Sequence, residues 1–343
     1  MSGEKVTIYQ VAEQAGVSIS TVSKVLSNKS GISEATRQKV WQASERLGYM
    51  PSLAARGLSG GKTGIIGLLV PYSPNQLFQD PHLLSNIHGI EAALNERDYN
   101  LLLATAKKKH DPASSYERLL RSRYFDGIIV METQESRYQE LHRRMARQDR
   151  PWVILGYPAG IAPCYSVYAD DFQGGQLAAE HLLSLGHRRI GLVNADPCPS
   201  AFGERVRGYT QVLKSYGLSR DKKLEVRGDM TYESGYQVAP RLLQRADRPT
   251  AIFSLNDRMA MGLLDWAQEN DLSVPADLSL IGFDDIPQAR ENFPPLTTIR
   301  QPAVEMGLEA VNLLMRLLDG ERPPSRIVTA TELIQRQTTA PLD

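Results

Sequence analysis

The sequence predicts two architectures in one chain: an N-terminal all-α head with helix-turn-helix spacing, and a larger C-terminal α/β body of two doubly wound parallel sheets. Three observations support this. Residues 7–50 read as short helices separated by glycines. From Thr63 onward, short Val/Ile/Leu-rich runs alternate with amphipathic stretches, the rhythm of parallel sheets covered by helices on both faces. At 343 residues the chain exceeds one ordinary core, and a domain size of roughly 100–200 residues predicts two or three units.

In the head, Thr7 is placed to cap a helix over Ile8–Ala15, where Ile8, Val11, Ala12 and Ala15 recur at helical spacing and Gly16 ends the run. Val17 and Ser18 make a tight connection, and Ser18 can cap a second helix from Ile19 to about Leu26. Ser33 opens a third, with Thr36, Val40, Ala43 and Leu47 on one side and Gly48 at its end. Pro51 begins a short segment that runs into Ser59-Gly60-Gly61, which has the composition of a joint. The expected units are a head over 1–50, a linking segment over 51–62 and a body over 63–343.

The body's apolar runs fall into two series: GIIGLLV, NLLLAT, GIIVM and WVILGY, then IGLVNA, KKLEVRG, AIFSLN and LSLIGFDD, with RIVTATELIQ as a final strand-like run. One lobe is expected over about 63–158 and 292–322, the other over about 159–291 and 323–343. Sheets of this kind bind ligands at the carboxyl ends of their strands, and two facing sheets enclose a cleft.

Composition narrows the function classes. Hydrophobic residues make up 42% and charged residues 23%, the balance of a folded globular protein. No apolar run reaches the length of a membrane span, and the first residues lack the apolar stretch of a signal peptide, so a cytoplasmic protein with no membrane association is expected. Cys164 and Cys198 are far apart and have no ligand cluster at zinc spacing, which predicts free thiols and no structural metal. His181 and His187 do not share a helical face, so local packing or capping is expected of them rather than metal binding. The run Lys107-Lys108-Lys109 reads as a solvated loop rather than a second nucleic-acid patch. There is no phosphate-binding Gly loop and no nucleophile set in usable context, so neither a cofactor nor catalysis is expected. The chain is neutral overall, yet residues 1–62 carry a net +4 and the rest −4. A basic head on a mildly acidic body fits a polyanion-binding unit, because lysine and arginine displace counterions from phosphates.

Residues 7–28, TIYQVAEQAGVSISTVSKVLSN, closely resemble the LacI/GalR family of bacterial repressors, and the likeness continues through SEATRQKV and LGYMPSLAARGL. In the body, RVRGY, LGHRRIG, SLNDRMA, IGFDD and PPLTTIRQP are similar to that family's periplasmic-binding-protein-like core. The resemblance spans essentially the whole chain. It implies a sequence-specific DNA-binding transcriptional repressor, a homodimer on a pseudo-palindromic double-stranded operator, controlled by a small-molecule effector held between the lobes. A sugar or sugar derivative is the leading effector class and a purine-like ligand the second. A transport-linked solute-binding protein is the rival reading, which the head opposes. No heptad repeat follows the last strand-like run, which favours a dimer over a tetramer.

The resemblance also assigns roles. Ile19, Ser20 and Lys24 take the base-reading positions of the second helix: Ile19 toward a thymine methyl, Ser20 toward either base type, Lys24 toward guanine acceptors. The alternative is that Ile19 packs and Lys24 touches phosphate. Thr7, Tyr9, Ser18, Thr21 and Asn28 are assigned to the DNA interface, chiefly as phosphate-side donors. The segment after Pro51 is similar to the family's hinge helix, which would bring Ala54, Ala55 and Leu58 to the minor groove. Gly57 departs from the pattern and weakens that helix by about 1 kcal/mol relative to alanine. Effector positions map to Arg205, Asn256 and Asp284, against the alternatives of a surface ion pair for Arg205 and a helix cap for Asn256. The long loop after the first strand adds Tyr72, Asn75, Phe78 and Gln79. Gly156 and Met230 stand where some members have an aspartate and a stacking aromatic.

Overall fold

A computed structural model describes residues 6–26, 31–49, 62–105, 116, 120, 124–131, 139–147, 150–158, 164–195 and 200–342. Asn28, residues 51–61, Lys107–Lys109 and Cys198, and with them the expected hinge helix, lie outside the described residues.

The head forms the three expected helices, Ile8–Ala15, Ile19–Leu26 and Glu34–Leu47. The starts of the second and third follow from serine chemistry: Ser18 Oγ accepts the Thr21 N–H at 3.1 Å, and Ser33 Oγ accepts the Thr36 N–H at 3.3 Å. Val11, Ala12, Val22, Val25, Leu26, Val40 and Ala43 meet in a small core of their own. It is this core, rather than helix propensity, that stabilises helices as short as eight residues.

Twelve strands follow among the described residues: β1 (Ile65–Val70), β2 (Asn100–Thr105), β3 (Gly127–Met131), β4 (Trp152–Leu155), β5 (Tyr165–Ala169), β6 (Ile190–Asn194), β7 (Glu225–Arg227), β8 (Ala251–Ser254), β9 (Ser279–Asp284), β10 (Thr297–Arg300), β11 (Arg326–Thr329) and β12 (Glu332–Ile334). They form two six-stranded sheets, ordered β11-β5-β4-β3-β1-β2 and β12-β10-β9-β8-β6-β7. Every neighbouring pair is parallel except β10 with β12.

The chain crosses between lobes three times, and the crossings correct the expected lobe boundaries. Residues 165–169 complete the first sheet, residues 297–300 belong to the second, and residues 326–329 return to the first. The run RIVTATELIQ is two strands in two different sheets, with only Ala330 and Thr331 between them. Apolar runs signal that a segment pairs but not with what, so boundaries drawn from sequence order miss strands that join a distant partner. Hydrogen bonds tie the crossings together: the Asp170 N–H donates to the Thr329 carbonyl (2.8 Å), and the Thr331 hydroxyl donates to the Asp170 carbonyl (3.2 Å).

Helix Asp171–Ser184 packs on helix Ala201–Ser215 through two glycines. A Cβ on Gly175 would run into the Arg205 carbonyl, and one on Gly208 into the Phe172 carbonyl. The helix axes are therefore close, and the backbone of Arg205 is fixed against its neighbour. Away from the cleft, the His181 ring bonds Thr339 Oγ1 (2.9 Å), and His187 bonds Thr250 Oγ1 (3.0 Å) and the Ala340 carbonyl (3.1 Å). Burial pushes both imidazoles below their ordinary range. Both histidines thus join the C-terminal segment to the second lobe, the packing role expected of them. Among the described residues no helix is long and apolar enough to cross a membrane.

Candidate functional site: the head surface and the cleft between the lobes

The second head helix buries Val22, Val25 and Leu26; at 3.6 residues per turn Ser20 and Lys24 fall on the opposite side, whereas Ile19 is in line with Leu26 and owes its exposure to its place as the first residue of the helix. Ile19 is 42% exposed and lies outside the head core. The Ser18 hydroxyl is 2.8 Å from that of Ser20 and 2.9 Å from that of Thr21, so three hydroxyls gather at a helix N-terminus whose first N–H groups have no intrahelical partner. Tyr9 is 67% exposed on the preceding helix. Thr7 is exposed and bonded locally: its N–H donates to Gln10 Oε1 at 2.8 Å and its hydroxyl to the same atom at 3.2 Å. The resulting face combines an apolar tip, hydroxyl donors and one lysine. That is the equipment needed to meet base edges and phosphates. Asn28, Ala54, Ala55 and Leu58 lie outside the described residues.

The second candidate site is a cavity of about 170 Å³ at the carboxyl ends of strands from both sheets. Arg205 lines it and is 3% exposed, which excludes the surface ion-pair alternative. Its Nε donates to Asp171 Oδ1 (2.8 Å), Nη1 donates to the Leu255 carbonyl and lies 3.6 Å from Asp284 Oδ1. Its Cζ stands 3.7 Å from the ring centroid of Phe283 and 4.6 Å from that of Phe202, so the cation is held between two aromatic rings. Burial raises the carboxyl pKa of Asp171, and Arg205 offsets part of this. Asp284 is raised by burial too, opposed by His82 and Arg205. Two buried carboxylates facing one guanidinium leave acceptor capacity directed at the cavity.

Asp284 is presented by an unusual turn. It has φ +122° and the next residue, Asp285, φ +59°, values rare for residues with a side chain. The Asp285 carboxylate accepts from Arg300 Nε (2.8 Å) and from Arg336 Nη2, which holds the turn in place. Gln301 Nε2 then donates to Asp284 Oδ1 at 2.6 Å from the start of the second crossing.

Asn256 lines the cavity and is also the helix cap of the alternative reading. Its Oδ1 accepts the Met259 N–H (3.0 Å) as the N-cap of helix Asp257–Glu269, and its Nδ2 donates to the Met230 carbonyl (3.0 Å). Each end of the amide thus has one partner within the protein and keeps a second bonding position, and the Nδ2 bond reaches Met230, which has φ +74°. Tyr72 and Gln79 line the cavity; Asn75 and Phe78 do not. The loop contains a short helix, Pro74–Phe78, whose buried residue is Leu77. One residue further along a helix turns about 100° away, which leaves Phe78 61% exposed. Gly156 and Met230 are both in the lining.

Sequence reasoning missed Asp171, His82, Asp80 and Arg258. The signal for Asp171 was present in its position just after the apolar run YSVYA. Asp80 and Arg258 come from different lobes and approach to 3.6 Å, a juxtaposition that neither local sequence reveals.

Comparison with known proteins agrees with the two-part architecture. Residues 7–52 match the family model for bacterial regulatory proteins, lacI family, and residues 179–339 match that for the periplasmic binding protein-like domain. The HTH-type transcriptional regulator DegA of Bacillus subtilis (strain 168) is 35% identical over 341 residues, 99% of each chain. Among solved structures, the lac repressor dimer bound to operator and the anti-inducer ONPF is similar at a TM-score of 0.84 and 28% identity, covering 98% of this chain and 100% of that one. The complex of the transcriptional regulator CelR with cellobiose is similar at a TM-score of 0.74 and 31% identity, covering 97% and 99%.

Proposed function

The chain belongs to the LacI family of bacterial regulatory proteins, and on that premise we propose that it acts in the cytoplasm as a homodimeric, non-enzymatic repressor whose operator affinity is set by a small carbohydrate held between the lobes. The carrying observation is the buried Asp171–Arg205–Asp284 set at the strand ends, on the same chain as the outward face of Ile19, Ser20 and Lys24. A guanidinium fork and carboxylates offer donors and acceptors to adjacent hydroxyls, and Phe202, Tyr72 and Met230 offer apolar surface to a ring. The relatives support the ligand class: the CelR structure holds cellobiose, and another LacI family regulator structure, from Enterococcus faecium, holds ribose. A ligand touching both lobes favours one lobe arrangement over another by its difference in affinity for the two. That difference reappears as a change in operator affinity, and the coupling is reciprocal.

Two measurements test the proposal. Selection from a pool of random duplexes at low salt is expected to return a palindrome with two half-sites, one per head. A melting-temperature panel of mono- and disaccharides is expected to identify at least one that raises the transition. Failure to select any sequence refutes the regulator reading, and a stabilising nucleobase with inert sugars refutes the carbohydrate one.

A further inference from the structure

The chain enters the body through two residues held by one carboxylate. Asp126, just before β3, accepts the Thr63 N–H (2.7 Å) and the Thr63 hydroxyl (2.9 Å) on Oδ1, and the Gly64 N–H (2.9 Å) on Oδ2. Gly64 has φ +71°, and its carbonyl accepts the Asn100 N–H at the start of β2 (2.8 Å). Thr63 is 4% exposed, and its Oγ1 also accepts the Ile65 N–H (3.3 Å). The peptide units on either side of Gly64 are therefore tied to the starts of two different strands. One residue earlier, Lys62 Nζ comes within 3.7 Å of Asp319 Oδ1 at the end of helix Ala303–Leu318.

The clamp and the cavity occupy opposite ends of the same two strands. β1 and β3 are parallel neighbours, with Ile66 opposite Gly127. β1 continues into Tyr72 and β3 ends at Met131, both of which line the cavity. A six-residue strand spans about 20 Å, so Asp126 is one strand length from the cavity. Its bonds are charge-assisted, stronger and more directional than those of a neutral acceptor.

We infer that Asp126 is the positioning residue that fixes the direction in which the cavity-bearing lobe sends the chain toward the DNA-binding head. The inference rests on the regulator reading above. Two heads must reach two half-sites at a set spacing, about 34 Å for sites one helical turn apart. A fixed exit direction raises the effective concentration of the second head once the first is bound, and a loosened exit lowers it.

The test uses the full-length chain and the duplex that the wild type selects from a random pool. In Asp126→Asn the side-chain shape is kept, but an N–H₂ group is turned toward the Gly64 N–H. In Thr63→Val only the hydroxyl is lost. Asp126→Asn is expected to weaken binding of the selected duplex about tenfold and Thr63→Val a few-fold, with binding to an unrelated duplex at low salt unchanged. A structural staple alone would lower the melting temperature and leave the selected duplex bound within twofold of wild type; that result overturns the inference. If Asp126→Asn does not fold, Thr63→Val decides by the same criterion. If the wild type selects no duplex, the regulator reading itself has failed, and the inference falls with it.

Discussion

Replacing Arg205 with alanine is expected to destabilise the body strongly and in a pH-dependent way. Asp171 is 3% exposed, and the Arg205 Nε at 2.8 Å supplies its ion pair. The Asp284 side chain is 9% exposed and has the same guanidinium at 3.6 Å. Removing one partner from a buried pair costs about 3–5 kcal/mol, because the remaining charge is left without compensation. The Leu255 carbonyl also loses a donor, and Phe202 and Phe283 lose the cation between them. A loss of about 4 kcal/mol is a large part of the roughly 5–15 kcal/mol that stabilises a domain. The pH dependence follows from the carboxyl pKa of Asp171, which burial holds above the ordinary 3.8 even with Arg205 present. A carboxyl whose folded pKa is raised binds more protons folded than unfolded, so stability falls as pH rises from 3.8 through the folded value. Without Arg205 that value moves further up, and protonation relieves more of the cost at pH 5 than at pH 7. Urea unfolding at both pH values measures the difference. A loss below about 1 kcal/mol at pH 7, or an equal loss at the two pH values, refutes the reasoning.

Three further outcomes are expected. Gly175→Ala puts a methyl group against the Arg205 carbonyl and should cost about 1–3 kcal/mol; an unchanged thermal midpoint would mean that the two helices separate easily there. His181 and His187 have folded pKa values below the ordinary 6.5, so they bind fewer protons folded than unfolded and their contribution falls as pH drops below about 6.5; His187→Gln should flatten the stability slope between pH 5 and 7, and identical slopes would refute this. Lys24→Ala should relax selection at one position of each half-site, a discrimination of about 1–3 kcal/mol; a loss spread evenly over all sequences, with the salt slope lower by about 1, would assign Lys24 to phosphate instead.

The head was legible almost to the residue because its punctuation is local. Ser18, Ser33, Gly16 and Gly48 mark helix ends by chemistry that acts within three or four residues. The body's strands were legible individually but not in their pairing: β11 and β12 are separated by two residues and join different sheets. Within the cavity, Arg205 and Asp284 could be named from the sequence, but the Asp171 that neutralises Arg205 lies 34 positions away. Phe78 was misplaced because a five-residue helix gives too few turns for periodicity to distinguish its inner face from its outer one.

The cleft's own polar contacts limit how the switch can work. Asp80 and Arg258 join the lobes across the cavity at 3.6 Å, with side chains 22% and 16% exposed. Asp80 also caps helix Pro81–Asn95 by accepting the His82 and Leu83 N–H groups at 3.0 and 3.3 Å, so the pair connects the first turns of helices in opposite lobes. At 3.6 Å the pair is beyond hydrogen-bond distance and both side chains keep some contact with solvent, so its contribution is about 1 kcal/mol, the upper end for exposed pairs. A tenfold change in operator affinity requires about 1.4 kcal/mol of coupling. The ion pair alone is therefore too weak to hold the lobes in one arrangement against a ligand that prefers another. On the proposed reading the balance is tipped by cavity-lining groups that a ligand would engage, Arg205 and Asp284 on one lobe and Tyr72 on the other. Arg258→Ala should accordingly shift the ligand concentration needed for half-response by less than tenfold, whereas Asp284→Asn should abolish the response. The reverse order in a duplex-binding titration would make the ion pair, rather than the ligand contacts, the element that sets the switch.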